Sequence, residues 1–120
     1  MTTEQFEPIS QQAIEAALER DDPVELMDLI IEIATNGDDR EFAENCCVQL
    51  TRHRNPNVRG NAVLGFGHLA RRFGRLDGHR VKRVVEIALH ERSEYVRAQA
   101  RSAAEDLATF LNWEFDSPDA

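Results

Sequence analysis

CCVQLTRHRNPNVRGNA (46–62) and VVEIALHERSEYVRAQA (84–100) are one pattern written twice, 38 residues apart. Val58 falls on Val96, Arg59 on Arg97 and Ala62 on Ala100; further out, Arg54 falls on Arg92, Leu69 on Leu107 and Ala70 on Ala108. In each copy a short apolar helix is expected, then a tight turn, then a helix opened by a capping residue, Asn55 before Pro56 or Ser93 before Glu94. A repeat of this length is one helix pair that cannot bury its apolar face alone and must stack on a neighbour.

Working outward, the rest of the chain reads as helix too. QQAIEAALER (11–20) follows Ser10 and places Ala13, Ile14, Ala17 and Leu18 on one face. Asp22-Pro23 opens a helix whose Val24, Met27, Ile30, Ile31 and Ala34 are expected to form its core stripe, and Asn36-Gly37 closes it. Asp38 or Asp39 caps REFAENCCVQLTRH, with Phe42, Cys46, Val48 and Leu50 apolar. RLDGH (75–79) reads as a connector, HRVKRVVEIALH (79–90) as a fifth helix and EYVRAQARSAAEDLATFLNW (94–113) as a sixth. No stretch alternates as a strand does. The fold class is therefore all-α: a short α-solenoid of about three antiparallel helix pairs, forming a single domain over residues 8–115. Residues 1–7 and 116–120 are expected to be flexible, residues before Pro8 to cap the first pair only loosely, and Trp113 and Phe115 to fold back over the last one.

Three glycines inside the fourth helix, Gly60, Gly65 and Gly67, pose a choice. A phosphate-cradling loop needs a strand before its glycines and a helix N-terminus aimed at the ligand. Here a helix precedes them and they lie within the next helix. Each mid-helix glycine costs about 0.5–1 kcal/mol relative to alanine. The expected compensation is close approach of the flanking second helices, residues 23–35 and 94–112. The other reading is a partner's loop approaching at Gly65. Val58, Ala62, Phe66, Leu69 and Phe73 form the expected core stripe of this helix.

The formal charge of −8 is unevenly spread. Residues 1–50 hold thirteen acids and two bases, a net of −11; residues 51–104 hold twelve bases and four acids, a net of +8; residues 105–120 hold five acids. The acidic first part repels a phosphate backbone and attracts a basic partner. The adjacent Cys46 and Cys47 are poorly placed to bridge each other and read as small apolar helix residues. His53, His68, His79 and His90 make no ligand spacing with one another or with cysteine, so no metal site is expected. No serine or cysteine stands beside a base, and His68 with Asp106, the one acid–base pairing the repeat brings near, sits too far apart for a direct bond. No catalytic residue and no cofactor are expected. No apolar run approaches the ~20 residues that cross a membrane, and MTTEQFEPIS lacks a basic stretch followed by an apolar one. A cytoplasmic location is the expectation.

NPNVRGNA and SEYVRAQA resemble the HEAT repeat and its short bacterial relatives over residues 39–112, with DPVEL marking a degenerate first repeat in residues 8–37. HEAT repeats often carry a turn aspartate that pairs with the next repeat's arginine. Here those places hold Arg54-Asn55 and Arg92-Ser93, so the resemblance does not promise that ladder. It implies a binding scaffold whose second helices line the concave face. The partner-facing residues it implies are Glu25, Asp28, Glu32, Asn61, His68, Arg72, Gln99 and Asp106. The run HRNPNVRGNAVLGFGHLARRFGRLDGH (53–79) further resembles small helical-repeat immunity proteins that neutralise a cognate toxin. That implies a protein partner, a toxin domain of basic character suiting the acids, with no small-molecule ligand. Two alternatives stand beside it. Some DNA glycosylases are built of HEAT-like repeats, and Arg71, Arg72, Arg75, Arg80, Lys82 and Arg83 cluster around one connector as phosphate contacts would. A general scaffold with several modest partners is the other.

Overall fold

A computed structural model describes residues 9–115; the expectations for the two chain ends, residues 1–7 and 116–120, lie outside them. Six helices follow in order: α1 (Gln11–Arg20), α2 (Pro23–Asn36), α3 (Arg40–Leu50), α4 (Pro56–Phe73), α5 (Gly78–Ala88) and α6 (Glu94–Leu111), with no strand among the described residues. The capping chemistry sets their starts. Ser10, Asp22, Asp39, Asn55, Asp77 and Ser93 each accept a hydrogen bond from a backbone N–H of the first turn. Asp77, within the stretch read as connector, is a cap: Gly78 begins α5 rather than preceding it. Gly74 ends α4 in the left-handed region at φ 71°, where a side chain would be strained. Gly37 is different. It ends α2 in an extended conformation, and what a side chain there would meet is the Ile33 carbonyl oxygen, 2.6 Å from the position of a Cβ.

α2, α4 and α6 pack directly on one another as one layer, and α1, α3 and α5 lie against one side of it. The core fills the space between: Leu26, Leu29, Ile30 and Ile33 of α2, Cys46, Cys47 and Leu50 of α3, Phe66 and Leu69 of α4, Val81 and Val85 of α5, Leu107 of α6. Phe73 is only half-buried against it. The α2 stripe corrects the sequence reading. Ile30 and Ala34 are buried and Met27 half-buried as expected, but Val24 is 69% and Ile31 52% exposed. The helix is apolar on two sides, and its neighbours cover the one carrying Leu26, Leu29 and Ile33. Trp113 folds back so that its ring stands 3.3 Å from where a Cβ on Gly78 would be, and Phe115 lies beside it and near Lys82.

The three α4 glycines are explained by neighbours. A methyl group at Gly60 would sit 2.6 Å from the Tyr95 ring, one at Gly67 2.6 Å from a carboxylate oxygen of Asp106, and one at Gly65 2.9 Å from Cys47 Sγ with Ile30 and Ala34 behind it. α6 uses the room at Gly60 and Gly67; α2 and α3 use it at Gly65. Gly65 is buried, so a partner's loop has no access there.

The repeat is visible in hydrogen bonds. Arg59 donates to the carbonyls of His53 and Arg54, both at 3.0 Å; Arg97, 38 residues on, donates to those of Glu91 and Arg92 at 2.7 and 2.9 Å. Ion pairs also join successive helix pairs. Arg59 pairs with Glu91 at 2.6 Å, and Asp21 pairs with His53 at 2.6 Å and with Arg54 at 2.5 Å.

Candidate functional site

The caps fix a common register for the second helices. Counting from Asp22, Asn55 and Ser93, the second residue of each helix is Val24, Asn57 and Tyr95; the sixth is Asp28, Asn61 and Gln99; the ninth is Ile31, Leu64 and Ser102; the thirteenth is Thr35, His68 and Asp106. At 3.6 residues per turn these positions form one strip per helix. On α2 the strip lies opposite Leu26, Leu29 and Ile33, so it faces away from α1, α3 and α5. Val24, Asp28, Ile31, Thr35, Asn57, Tyr95 and Ser102 are exposed, and Leu64, His68, Gln99 and Asp106 are half-buried. This is the open face of the layer.

Five of the eight residues expected to face a partner, Asp28, Asn61, His68, Gln99 and Asp106, fall on those strips, although Asn61 is buried there beneath Tyr95. The other three do not. Glu25 and Glu32 fall at the third and tenth positions, where Val58, Val96, Gly65 and Ala103 are buried. In α4 and α6 those positions pack toward the preceding pair. On α2 they instead border a shallow depression of about 440 Å³ shared with Ala13, Ala17 and Arg20 of α1. Acids there keep the end of the stack solvated. Arg20 clamps Glu25 with two bonds of 3.0 and 2.6 Å and lowers its pKa, while Glu32 accepts from Asn36. Asp28 borders both surfaces and makes no ion pair among the described residues. Arg72 is a structural clasp: it donates to the carbonyls of Ala34 and Gly37 at 2.9 and 2.5 Å, tying down the end of α2.

Around the face, polar groups hold one another. The Tyr95 hydroxyl donates to Asn61 at 2.6 Å, fixing the ring over Gly60. Asp106 pairs with Arg71 at 3.7 Å, and the Arg71 guanidinium lies 5.4 Å from the centre of the Phe110 ring. No hydrogen bond joins His68 to Asp106 among the described residues; the Asp106 carboxylate faces Arg71 instead. Burial pushes the thiols of Cys46 and Cys47 up to about 11 and about 12, with nearby acidic groups adding to the shift, which removes thiolate character at neutral pH. Among the described residues no three His, Cys, Asp or Glu side chains come together to hold a metal ion. No helix among them is long and apolar enough to cross a membrane.

Three of the six residues of the arginine cluster are engaged within the fold. Arg71 and Arg72 are used as above, and Arg80 pairs with Glu44 at 3.6 Å. Glu44, 1% exposed, is a buried carboxylate that sequence reasoning missed. It pairs with Arg40 and Arg80 and accepts from the Asp77 N–H at 3.2 Å, joining α3 to the start of α5. Its only sequence signal is an acid four residues after Arg40. Asp21 and Glu91, the links between pairs, were missed as well. They lie in turns where an acid looks ordinary.

A solved chain from the crystal structure of a CDI complex from Cupriavidus taiwanensis LMG 19424 is similar to this protein, with a TM-score of 0.74 and 30% identity; the match covers 87% of this chain and 94% of that one. No family model matches the chain, and no curated protein does.

Proposed function

We propose that this protein, which belongs to the same family as that chain of a CDI complex, is an immunity protein: a non-catalytic, cytoplasmic module that binds a cognate toxin domain and neutralises it. The observation that carries the reading is a match at 30% identity over 94% of a chain whose complex is named for CDI. CDI, read as contact-dependent inhibition, pairs a toxin with its immunity protein.

The chemistry of the chain supports a binder. Its open face mixes exposed apolar side chains with polar groups held in place, the composition of a protein-binding surface. Acids at the α2 end favour a basic partner and speed the encounter with it. The HEAT-like character of the repeat belongs to the same reading, since stacked helix pairs are used chiefly as binding scaffolds.

The test is co-purification of the tagged chain with the product of the neighbouring coding sequence. A one-to-one complex that silences the toxin is expected. Neutralising Glu25, Asp28 and Glu32 together should weaken the complex and flatten its salt dependence; unchanged binding and salt dependence in that triple variant would remove the acids from the interface.

A further inference from the structure

Five large apolar side chains are more than a third exposed: Val24, Ile31, Tyr95, Phe110 and Ile87. Scattered singly they would mean nothing. Four of the five lie on α2 and α6, whose strips border the same face with α4 between them. Val24, Ile31 and Tyr95 fall on the open-face strips of α2 and α6, and Phe110 is one turn beyond Asp106, the last strip position of α6. Leu64, the α4 counterpart of Ile31, lies half-buried between them. α2 does not need Val24 or Ile31 for its core, which Leu26, Leu29, Ile30 and Ile33 already fill. On α2, Val24 and Ile31 stand one turn either side of the exposed Asp28 on the side away from the core, a pairing of apolar and acidic groups that suits a partner.

Two further observations say what covers it. Tyr95 is pinned by Asn61 and Phe110 lies beside the Arg71 guanidinium, so both rings are held and lose little freedom on binding. The charges at the rim are sorted: Asp28 is exposed at the α2 side with Glu25 and Glu32 beside it, whereas Arg71 stands at the far end of α4. A segment lying along Val24 and Ile31 therefore meets acid. Resting on the immunity reading, we propose that this open face seats one amphipathic segment of the toxin domain. Apolar residues of that segment cover Ile31, Val24, Leu64 and Tyr95, and its basic residues meet Asp28.

The experiment is titration calorimetry of the purified chain with the product of the neighbouring coding sequence. Three variants are compared: I31R and V24R on the open face, and I87R as a control on the exposed apolar residue of α5. All three positions are solvent-facing, so thermal melts should overlay with that of the parent chain. Two independent face variants guard against either one misfolding. I31R and V24R should each weaken binding roughly thirtyfold or more, the loss expected of an interface anchor, while I87R changes nothing. Parent-like binding by both face variants, with the complex intact, would overturn the proposal and leave the immunity reading standing. Failure of the parent chain to bind at all would overturn both. Sedimentation of the chain alone should show a monomer. A dimer abolished by I31R would assign the face to a second copy instead and overturn the proposal.

Discussion

Arg59, in the first turn of α4, reaches Glu91 in the turn before α6, its Nε 2.6 Å from a carboxylate oxygen, and the same guanidinium holds the two carbonyls of its own turn. Glu91 in turn accepts from the Ser93 N–H at 2.9 Å. One ion pair thus joins two helix pairs and braces the turn in each. Both side chains are 21% exposed, so solvent screens the pair only in part.

Arg59→Ala should cost about 2 kcal/mol of stability, the range for charge-assisted hydrogen bonds in a half-buried setting. Arg97→Ala removes the equivalent turn bonds and no ion pair, and should cost less. Urea denaturation of both variants, with Glu91→Gln to close a double-mutant cycle, checks the difference.

Acid should weaken the stack in a defined window. Burial pushes the Glu91 carboxyl up, but hydrogen bonds from Arg59 and the Ser93 N–H, with the charges of Arg59 and Arg92, outweigh it and leave the pKa lowered. Arg54 and His53 lower that of Asp21. A carboxylate whose folded-state pKa lies below its unfolded value contributes stability above the unfolded value, about 4, and loses it as pH falls through the folded one. Stability should therefore hold from pH 7 to about 5 and fall below about 4. Glu91→Gln should be less stable at pH 7 and should flatten the fall, measured by melts across pH.

Glu44 should be the most sensitive acid in the protein. Glu44→Ala leaves Arg40, Arg80 and the Asp77 N–H without their shared acceptor, and a cost of about 1–3 kcal/mol is expected because the two arginines keep partial access to solvent. Glu44→Leu should do no better, because the arginines remain. Thermal melts of these variants beside Glu41→Ala, an exposed acid on the same helix, make the comparison.

Gly65→Ala gains helix propensity but forces a methyl group to 2.9 Å from Cys47 Sγ in a closed space. Overpacking should win, by about 1–3 kcal/mol. Cys47→Ala in the same chain removes the sulfur, so the double variant should lose less than the sum of the two singles. Additive losses in chemical denaturation would show that the clash lies elsewhere.

Element starts were legible in the sequence because capping is local: Asp22-Pro23, Asn55-Pro56 and Ser93 each announce a helix through a side chain that bonds its own first turn. The Asp77 cap was hidden because Gly78 at the first helical position looks like a turn. The α2 core was not legible, because Val24 and Ile31 on one side and Leu26, Leu29 and Ile33 on another both have helical spacing, and only the packing of α1 and α3 decides between them. The same fact concealed the apolar strip of the open face. Asp28, Asn61 and Gln99 were placed together from the repeat, and His68 with Asp106. Glu25 and Glu32 stand one position off that strip, beside Asp28, because the first pair lacks the Val-Arg segment that aligns the other two. Counting from the caps supplies the missing register.

The most direct measurement of the central claim is growth. Cells are induced to make the product of the coding sequence beside this chain, with and without the chain itself. The account predicts arrest without it, full growth with it, and renewed arrest when I31R replaces the parent at equal protein level. Arrest that the parent chain does nothing to relieve, while it accumulates folded in the same cells, would contradict the account.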